Sequence, residues 1–398
     1  LMIDSVEKKS SVCILAGGFG SRLKSEIGEK IPKPMAPING IPLLEHQIDL
    51  CRRYGFVDIL ILVHHLSEVI MQYFSDGSHL GVNIKYQVEK SPRGTAGAVS
   101  DALSFLADEF LIIYGDTFLE VDLRRFCSSK DMNSAVLTFA HPNSHPYDSD
   151  LLEINEKGLV TRVFRPSVDG STLYKNTVNA ALYFVEKYIF SKYVSSYGSI
   201  DISSELFPLL IKSDEAIQAY ISVEYIKDMG TPSRYREVNL AVTAGVVDSL
   251  SNKSPRKCVF LDRDGVINVE VGHLSNISQF ELIPGVADAI CAINKAGYLA
   301  VCVTNQPVIA RGDLSFAELD DIHMKMEVQL GAGGAYLDGI YFCPHHPHHG
   351  FPGEISDLKI LCNCRKPEPG MLIQASERYN IDLESSWMVG DHMRDIFA

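Results

Sequence analysis

The sequence predicts an α/β protein: two doubly wound, Rossmann-like domains in series. Three observations lead there. Apolar runs of strand length alternate with segments of helical period from about residue 12 to residue 116, the pattern of a mostly parallel sheet covered on both faces. In two places, near residues 12–20 and 259–265, a buried strand runs straight into glycines or aspartates, and in an open α/β sheet that strand end is where ligands bind. Between them lies a short polar, Ser-rich stretch, 248–256, with the character of a linker. The expected organisation is therefore a first domain over 1–247, a linker over 248–256 and a second domain over 257–398. At 398 residues the chain exceeds what one ordinary core accommodates.

Composition narrows the classes of function. A formal net charge of -14 disfavours a nucleic-acid surface, because a phosphate backbone recruits Lys and Arg. No apolar run approaches the roughly 18 residues of a membrane span, and residues 1–10 are mixed and charged rather than a secretory apolar stretch. The cytoplasm is the expected compartment, with no membrane partner. Nine cysteines do not form a disulfide framework; six are scattered in apolar contexts and read as small core residues.

In chain order, Val12–Ala16 reads as a buried strand and Gly17, Gly18 and Gly20 follow at once, letting backbone N–H groups approach a polyphosphate. Arg22 closes the loop with a fixed cation, and Lys33 is presented between Pro32 and Pro34. Helical 42–54, strand 58–63, helical 67–75 and strand 83–87 come next, with Gln87 placed among the nucleotide-binding residues. Gly94 and Thr95 open a run of small residues against which a flat base or sugar can lie. The strand 110–114 ends in Gly115-Asp116, and Asp228 sits in a glycine-containing turn far downstream; two such aspartates suit Mg²⁺ on a nucleotide's phosphates.

Leu15-Ala16-Gly17-Gly18-x-Gly20-x-Arg22-Leu23, Lys33-Pro34, Gly94-Thr95-Ala96-Gly97-Ala98, Gly115-Asp116 and Asp228-x-Gly230-Thr231-Pro232 together resemble the sugar-1-phosphate nucleotidyltransferases, in that family's order over about residues 10–245. The resemblance implies attack of a sugar-1-phosphate oxygen on the α-phosphorus of a nucleoside triphosphate, with release of pyrophosphate. It implies that the glycines cradle the phosphates, that Arg22 steadies developing charge, that Lys33 binds the attacking phosphate, and that Asp116 and Asp228 hold Mg²⁺. The Gly-Thr-Ala-Gly-Ala wording is closest to guanylyltransferases, hence GTP. Phe164-Arg165-Pro166 stands where many members have Glu-Lys-Pro, and Asn179-Ala180-Ala181 where they have Asn-Ala-Gly. Arg165 and Asn179 are expected on the sugar side, so these departures point away from the usual hexoses.

In the second domain, Val259-Phe260-Leu261 delivers Asp262 and Asp264 to a strand end, the first placed as a nucleophile and the second to exchange protons beside it. A strand at 299–303 ends in Thr304 and Asn305, neutral donors suited to holding a phosphate; Arg365 and Lys366 add cations, and the strand 387–389 leads through Gly390 to Asp391. Cys343-x-His345, 16 intervening residues and Cys362-x-Cys364 make a closed set of four for structural Zn²⁺, with His346, His348 and His349 crowding the loop.

These four strand-end clusters resemble the haloacid dehalogenase (HAD)-like phosphatases. That implies an aspartyl-phosphate on Asp262, acid/base work by Asp264, Mg²⁺ held by Asp262, Asp391 and the Asp264 carbonyl, and Thr304, Asn305 and Lys366 on the transferred phosphoryl group. Asp-Arg-Asp-Gly-Val-Ile-Asn, Cys-Pro-His-His-Pro and Cys-x-Cys-Arg-Lys-Pro-x-Pro-Gly-Met resemble, more narrowly, the D-glycero-D-manno-heptose 1,7-bisphosphate 7-phosphatases and their relatives the histidinol-phosphate phosphatases. In that family the arginine matching Arg311 faces the substrate. Gln306-Pro307-Val308 departs from the family's Ser-Gly after Gln, and the chain stops seven residues after Asp391, so the second domain is expected to lack its C-terminal end.

Two such sites imply consecutive steps: removal of the 7-phosphate of heptose 1,7-bisphosphate, then nucleotidyl transfer to heptose 1-phosphate, giving GDP-heptose for lipopolysaccharide or another surface polysaccharide. The partners are then a nucleoside triphosphate and a phosphorylated sugar, and homo-oligomerisation stays open. The alternatives are a hexose-1-phosphate enzyme fused to a histidinol-phosphate-type or other sugar phosphatase, and a chain in which one domain only regulates.

Overall fold

Continuous apolar runs become the central strands because both faces of a parallel sheet are covered. The computed structural model describes residues 9–398; of the stretch 1–10 expected to lack a secretory signal, residues 1–8 lie outside the described residues. It divides into two compact units. One comprises residues up to Ala140 with Leu152–Phe164 and Asn179–Gly245; the other comprises His141–Leu151, Arg165–Val178 and Val246–Ala398.

In the first unit β1 (Ser10–Ala16), β2 (Asp58–Val63), β3 (Asn83–Val88) and β4 (Leu106–Tyr114) are linked by α1 (Leu43–Arg53), α2 (Ser67–Phe74) and α3 (Gly94–Asp101). They form the parallel centre of a nine-stranded sheet, with β1 paired to both β2 and β4, and β2 to β3. All six residues of β2 are buried, as its apolar run from Ile59 to Val63 requires; Asp58 at its start accepts from Asn83. A separate antiparallel pair, β5 (Thr117–Glu120) with β11 (Tyr225–Asp228), sets Asp228 opposite Thr117. Between these in the chain, β6 (Val136–His141), β7 (Leu151–Ile154), β8 (Val160–Phe164), β9 (Val178–Glu186) and β10 (Ile217–Ile221) complete the large sheet, with β9 antiparallel to β4. Two apolar clusters, one containing Ile14, Ile61 and Ile113 and the other Cys13, Leu60 and Ile112, cover alternate residues of the same strands, so the sheet is buried on both faces.

The second unit carries a four-stranded parallel sheet of β12 (Cys258–Leu261), β13 (Leu299–Asn305), β14 (Gly339–Cys343) and β15 (Trp387–Val389), in the order β14-β13-β12-β15. Helices α5 (Val286–Lys295), α6 (Phe316–Ala332) and α7 (Gly370–Tyr379) follow their strands; an earlier helix, α4 (Pro232–Thr243), closes the first unit. The Ser315 side chain accepts from the Glu318 N–H while Glu318 reaches back to the Ser315 N–H, a capping box that marks the start of α6.

The stretch expected as a solvated linker is more ordered than its composition implies. Arg256 is buried; its guanidinium donates to the carbonyls of Leu250 and Tyr379 and to Asn252 Oδ1. A buried guanidinium needs several acceptors, and the linker's own backbone supplies one of them. Among the described residues no helix is long and apolar enough to cross a membrane.

Candidate active sites

The glycine loop after β1 opens a cavity of about 450 Å³, lined by Gly17, Gly18, Gly20 and Arg22 together with Lys33, Gly94, Thr95 and Asp116 from later in the chain. Gly20 has φ +57°, and a Cβ there would stand 2.8 Å from the Lys33 Cβ, so loop and lysine approach only without a side chain. Lys33 Nζ lies 2.6 Å from Asp116 Oδ2, a paired cation and anion on the wall where phosphates would lie. Thr95 accepts from the Ile202 N–H and donates to Asp201, which ties the start of α3 to a distant segment.

Asp228 reaches the same wall from β11. The Met229 N–H donates to the Asp116 carbonyl (2.8 Å), and Asp228 Oδ1 accepts from the Gly230 N–H and from Arg234, each at 2.9 Å. Gly230, rather than Asp228, lines the cavity. Two carboxylates on neighbouring strands, 37% and 36% exposed, are hard oxygen donors of the kind Mg²⁺ takes, and the residues present fit that ion.

Three expected residues are elsewhere. Gln87 does not line the cavity: it is still within β3, paired with Leu62, one residue short of the strand end where ligands gather. Glu89, the first residue past β3, takes that place; its carboxylate lies over Gly17, 2.6 Å from where a Cβ would be. Burial raises the Glu89 pKa, with His64 opposing and Asp101 adding. His64 also lines the cavity, and its ring and that of His65 pack on the exposed Phe19. A carboxylate directly after a parallel strand is the signal that locates Glu89. Asn179 does not face the cavity: its amide joins Thr138, Ser203 and the N–H of Ala181, which holds φ +57°. Arg165 belongs to the second unit, where it donates to Asp150.

In the second unit, β12 leads directly into Asp262, which is 3% exposed. Lys366 Nζ lies 3.0 Å from Asp262 Oδ1 and 2.7 Å from Asp395 Oδ1. Burial pushes the Asp262 pKa up, Lys366 opposes this, and Asp395 adds to it. Gly265, at φ +80°, lets the Asp391 carboxylate approach to 2.3 Å from where a Cβ would stand. Asp391, His392 and Asp395 have ligand atoms within 4.8 Å of one another, and Asp395 shares the buried Lys366 ammonium with Asp262. The carboxylates fit a divalent cation with oxygen ligands.

Asn305 has a narrower part than expected. Its Nδ2 donates to the Lys366 carbonyl and its Oδ1 accepts from the Lys366 N–H, both at 3.0 Å, so its side chain holds the lysine rather than pointing at a phosphoryl group. Thr304 is buried at the same strand end. Arg311 contacts His273 and His346 and stacks over Phe351 at 4.7 Å; Arg365 donates to the His345 carbonyl. Burial lowers the Arg365 pKa, the sulfurs of Cys343 and Cys362 oppose this, and Arg394 and Arg311 add to the lowering.

The cysteine cluster closes as its spacing requires. Cys343 Sγ lies 3.6 Å from both Cys362 Sγ and His345 Nδ1; Cys364 Sγ lies 3.2 Å from Cys343 Sγ and from His345 Nδ1, and 3.4 Å from Cys362 Sγ. A Zn–S bond of about 2.3 Å implies tetrahedral edges a little under 4 Å, so the four atoms nearly outline the shell of a zinc ion. His346, His348 and His349 are not in this set.

Comparison with known proteins places both parts of the chain in known families. Residues 11–245 match the Nucleotidyl transferase family, and residues 363–398 match the HAD-hydrolase-like family. A D-glycero-beta-D-manno-heptose-1,7-bisphosphate 7-phosphatase of Salmonella typhi is 46% identical over 140 residues, covering 35% of this chain and 72% of that protein. Its counterpart from Vibrio cholerae is 45% identical over 143 residues, covering 36% and 75%. Among solved structures, HddC from Yersinia pseudotuberculosis superposes with a TM-score of 0.50 at 24% identity, over 57% of this chain and 97% of that one. A putative glucose-1-phosphate thymidylyltransferase from Bacillus anthracis does so with a TM-score of 0.52 at 19% identity, over 58% and 94%. Those two likenesses establish the fold. The chain thus belongs to the nucleotidyl transferase family through residues 11–245, and through its second site to the family of the heptose-bisphosphate phosphatases, so that one polypeptide is both nucleotidyltransferase and phosphatase.

Proposed function

We propose that the chain carries out two consecutive steps of sugar-nucleotide synthesis. It removes the 7-phosphate of D-glycero-D-manno-heptose 1,7-bisphosphate and then couples the heptose 1-phosphate to GMP from GTP, releasing pyrophosphate. The observation that carries this reading is the covalent union of a nucleotidyltransferase with a phosphatase whose relatives act on heptose 1,7-bisphosphate. The product of the second unit is the kind of substrate the first unit takes. GDP-heptose suits the assembly of a surface polysaccharide.

In the phosphatase, Asp262 Oδ attacks the phosphorus, the C7 oxygen leaves with a proton from Asp264, and water then cleaves the aspartyl-phosphate with Asp264 taking the proton back. Lys366 and the Thr304 hydroxyl would hold the phosphoryl oxygens. Mg²⁺ held by Asp262, Asp391 and the Asp264 carbonyl would neutralise phosphoryl charge. Zn²⁺ on Cys343, His345, Cys362 and Cys364 would brace the loop that carries Arg365 and Lys366, with no part in the chemistry.

In the nucleotidyltransferase, Lys33 orients the attacking sugar phosphate and the loop N–H groups with Arg22 take up charge as pyrophosphate departs. Asp116 and Asp228 would hold the Mg²⁺ that screens the triphosphate. Glu89 supports guanine: an ionised carboxylate only accepts, and the guanine edge offers two adjacent donors, N1–H and N2–H. Glu89→Gln replaces one acceptor with a donor, so kcat/KM for GTP should fall about 10- to 100-fold while that for UTP falls less. An unchanged GTP/UTP ratio in a pyrophosphate-release assay would remove Glu89 from base selection.

The direct test supplies each anomer of heptose 1,7-bisphosphate with GTP and Mg²⁺ and measures phosphate, pyrophosphate and GDP-heptose. Phosphate and pyrophosphate should appear in equal amounts at completion. Pyrophosphate from mannose 1-phosphate but not from heptose 1-phosphate would favour the hexose alternative instead.

A further inference from the structure

Between the Asp262 nucleophile and α6 lies a run of buried polar side chains to which the reaction scheme assigns nothing. Arg263 is fully buried and Gln306 nearly so, at 2% exposed. Arg263 Nη2 donates to Asp264 Oδ1 (2.9 Å), to Asp264 Oδ2 (3.0 Å) and to Gln306 Oε1 (3.0 Å), and its Nε lies 3.2 Å from Asp264 Oδ1. Gln306 Nε2 donates to Asp264 Oδ2 at 2.8 Å and to Thr304 Oγ1 at 2.9 Å. Asn268 Nδ2 donates to Asp264 Oδ1 at 3.1 Å. On the far side, Arg263 Nη1 faces His323 Nε2 at 3.4 Å. Burial and then the charges of Arg263 and Lys175 push the His323 pKa well below its ordinary value, so the ring is neutral and accepts.

The donors and acceptors permit one assignment. A guanidinium only donates, so the Gln306 oxygen must face Arg263 and its NH₂ must face Asp264 and Thr304. With both N–H bonds used in that way, Thr304 Oγ1 is an acceptor from within the protein. Its own hydrogen is then available to a further acceptor, such as a phosphoryl oxygen at this strand end.

We infer that Gln306 is a positioning residue for the phosphatase reaction: its side-chain amide fixes the Thr304 hydroxyl as a donor to the phosphoryl group and, together with Arg263 and Asn268, sets the resting position of the Asp264 carboxylate, from which that group turns to protonate the departing oxygen. The inference rests on the assignment of Asp262 and Asp264 as nucleophile and acid/base. Gln306 touches no substrate and acts only through Asp264 and Thr304. A residue that sets the acid's position matters most where the leaving group needs a proton, and that sets its effect apart from a general loss of structure.

The test compares the full-length Gln306→Met variant with the parent on two substrates, heptose 1,7-bisphosphate, whose alkoxide must be protonated, and p-nitrophenyl phosphate, whose phenolate leaves unaided. kcat/KM is read because it covers steps only through the first cleavage. The expected result is a loss of about 10- to 100-fold for the sugar phosphate and at least fivefold less loss for the aryl ester, in line with the cost of misplacing a group that supports catalysis. Equal losses on both substrates, or no loss, would overturn the inference. Should Gln306→Met fail to fold, the isosteric Gln306→Glu is read by the same comparison with the same two outcomes. If the parent chain releases no phosphate from either substrate, the phosphatase reading itself fails, which is a different result from a parent that works and a variant that matches it.

Discussion

Asp262→Asn should abolish phosphate release from heptose 1,7-bisphosphate, with kcat falling by a factor on the order of 10⁴ or more, because the amide nitrogen and carbonyl oxygen are poor nucleophiles and no aspartyl-phosphate forms. Nucleotidyl transfer to heptose 1-phosphate supplied directly should continue at the parental rate, since Gly17, Lys33, Asp116 and Asp228 lie in the other unit. The substitution preserves volume at a position 3% exposed, and it removes a charge that sits 3.0 Å from Lys366. Asp395, 2.7 Å from the same ammonium, keeps that cation paired, so the variant should fold. A phosphate-release assay alongside a pyrophosphate-release assay reads both effects in one preparation. Loss of both activities would show that the units do not act as separate catalysts.

Zinc removal should produce the second large effect. Structural Zn²⁺ in a closed thiolate–imidazole set contributes about 10 kcal/mol or more of binding free energy at neutral pH, and much of it is folding free energy. Cys343 lies at the end of β14 and Cys364 directly precedes Arg365 and Lys366, so the ion would clamp Lys366, the partner of Asp262, to the sheet. Cys364→Ser, or a strong chelator, should lower the metal content by one zinc per chain. It should also lower the thermal midpoint of the second unit and reduce phosphatase kcat/KM by 100-fold or more, while nucleotidyl transfer changes little once Mg²⁺ is restored. Metal analysis with calorimetry and both assays checks this; full phosphatase activity in a zinc-free chain would dismiss the bracing role.

Legibility in the sequence was uneven, and particular residues show why. The strand at 58–63, the helix at 42–54 and the cysteine and histidine set at 343–364 were readable because each is a local pattern: an apolar run from Ile59 to Val63, a 3.6-residue period, and paired Cys-x-His and Cys-x-Cys spacings. Glu89 rather than Gln87 lines the cavity; a propensity reading places a strand end only to within a residue or two, whereas the pairing of Gln87 with Leu62 places it inside the strand. Asn179 was expected at the sugar and is instead spent on Thr138 and Ser203, partners 41 and 24 residues away. Asn305 was expected on phosphate and instead grips Lys366, 61 residues on.

By itself the sequence determined the fold class, the two glycine- and aspartate-bearing strand ends, and the set of three cysteines and one histidine that closes on itself. These depend on neighbours within a few positions, and covalent connection enforces their proximity. Only the tertiary structure decided which side chains spend their hydrogen bonds on one another. It turned Asn305 toward Lys366, brought Glu89 over Gly17, joined Arg263, Gln306 and Thr304 into one directed chain, and allotted 141–151 and 165–178 to the second unit. The physical reason is that a buried polar group must find partners wherever packing supplies them, and those partners come from distant parts of the chain.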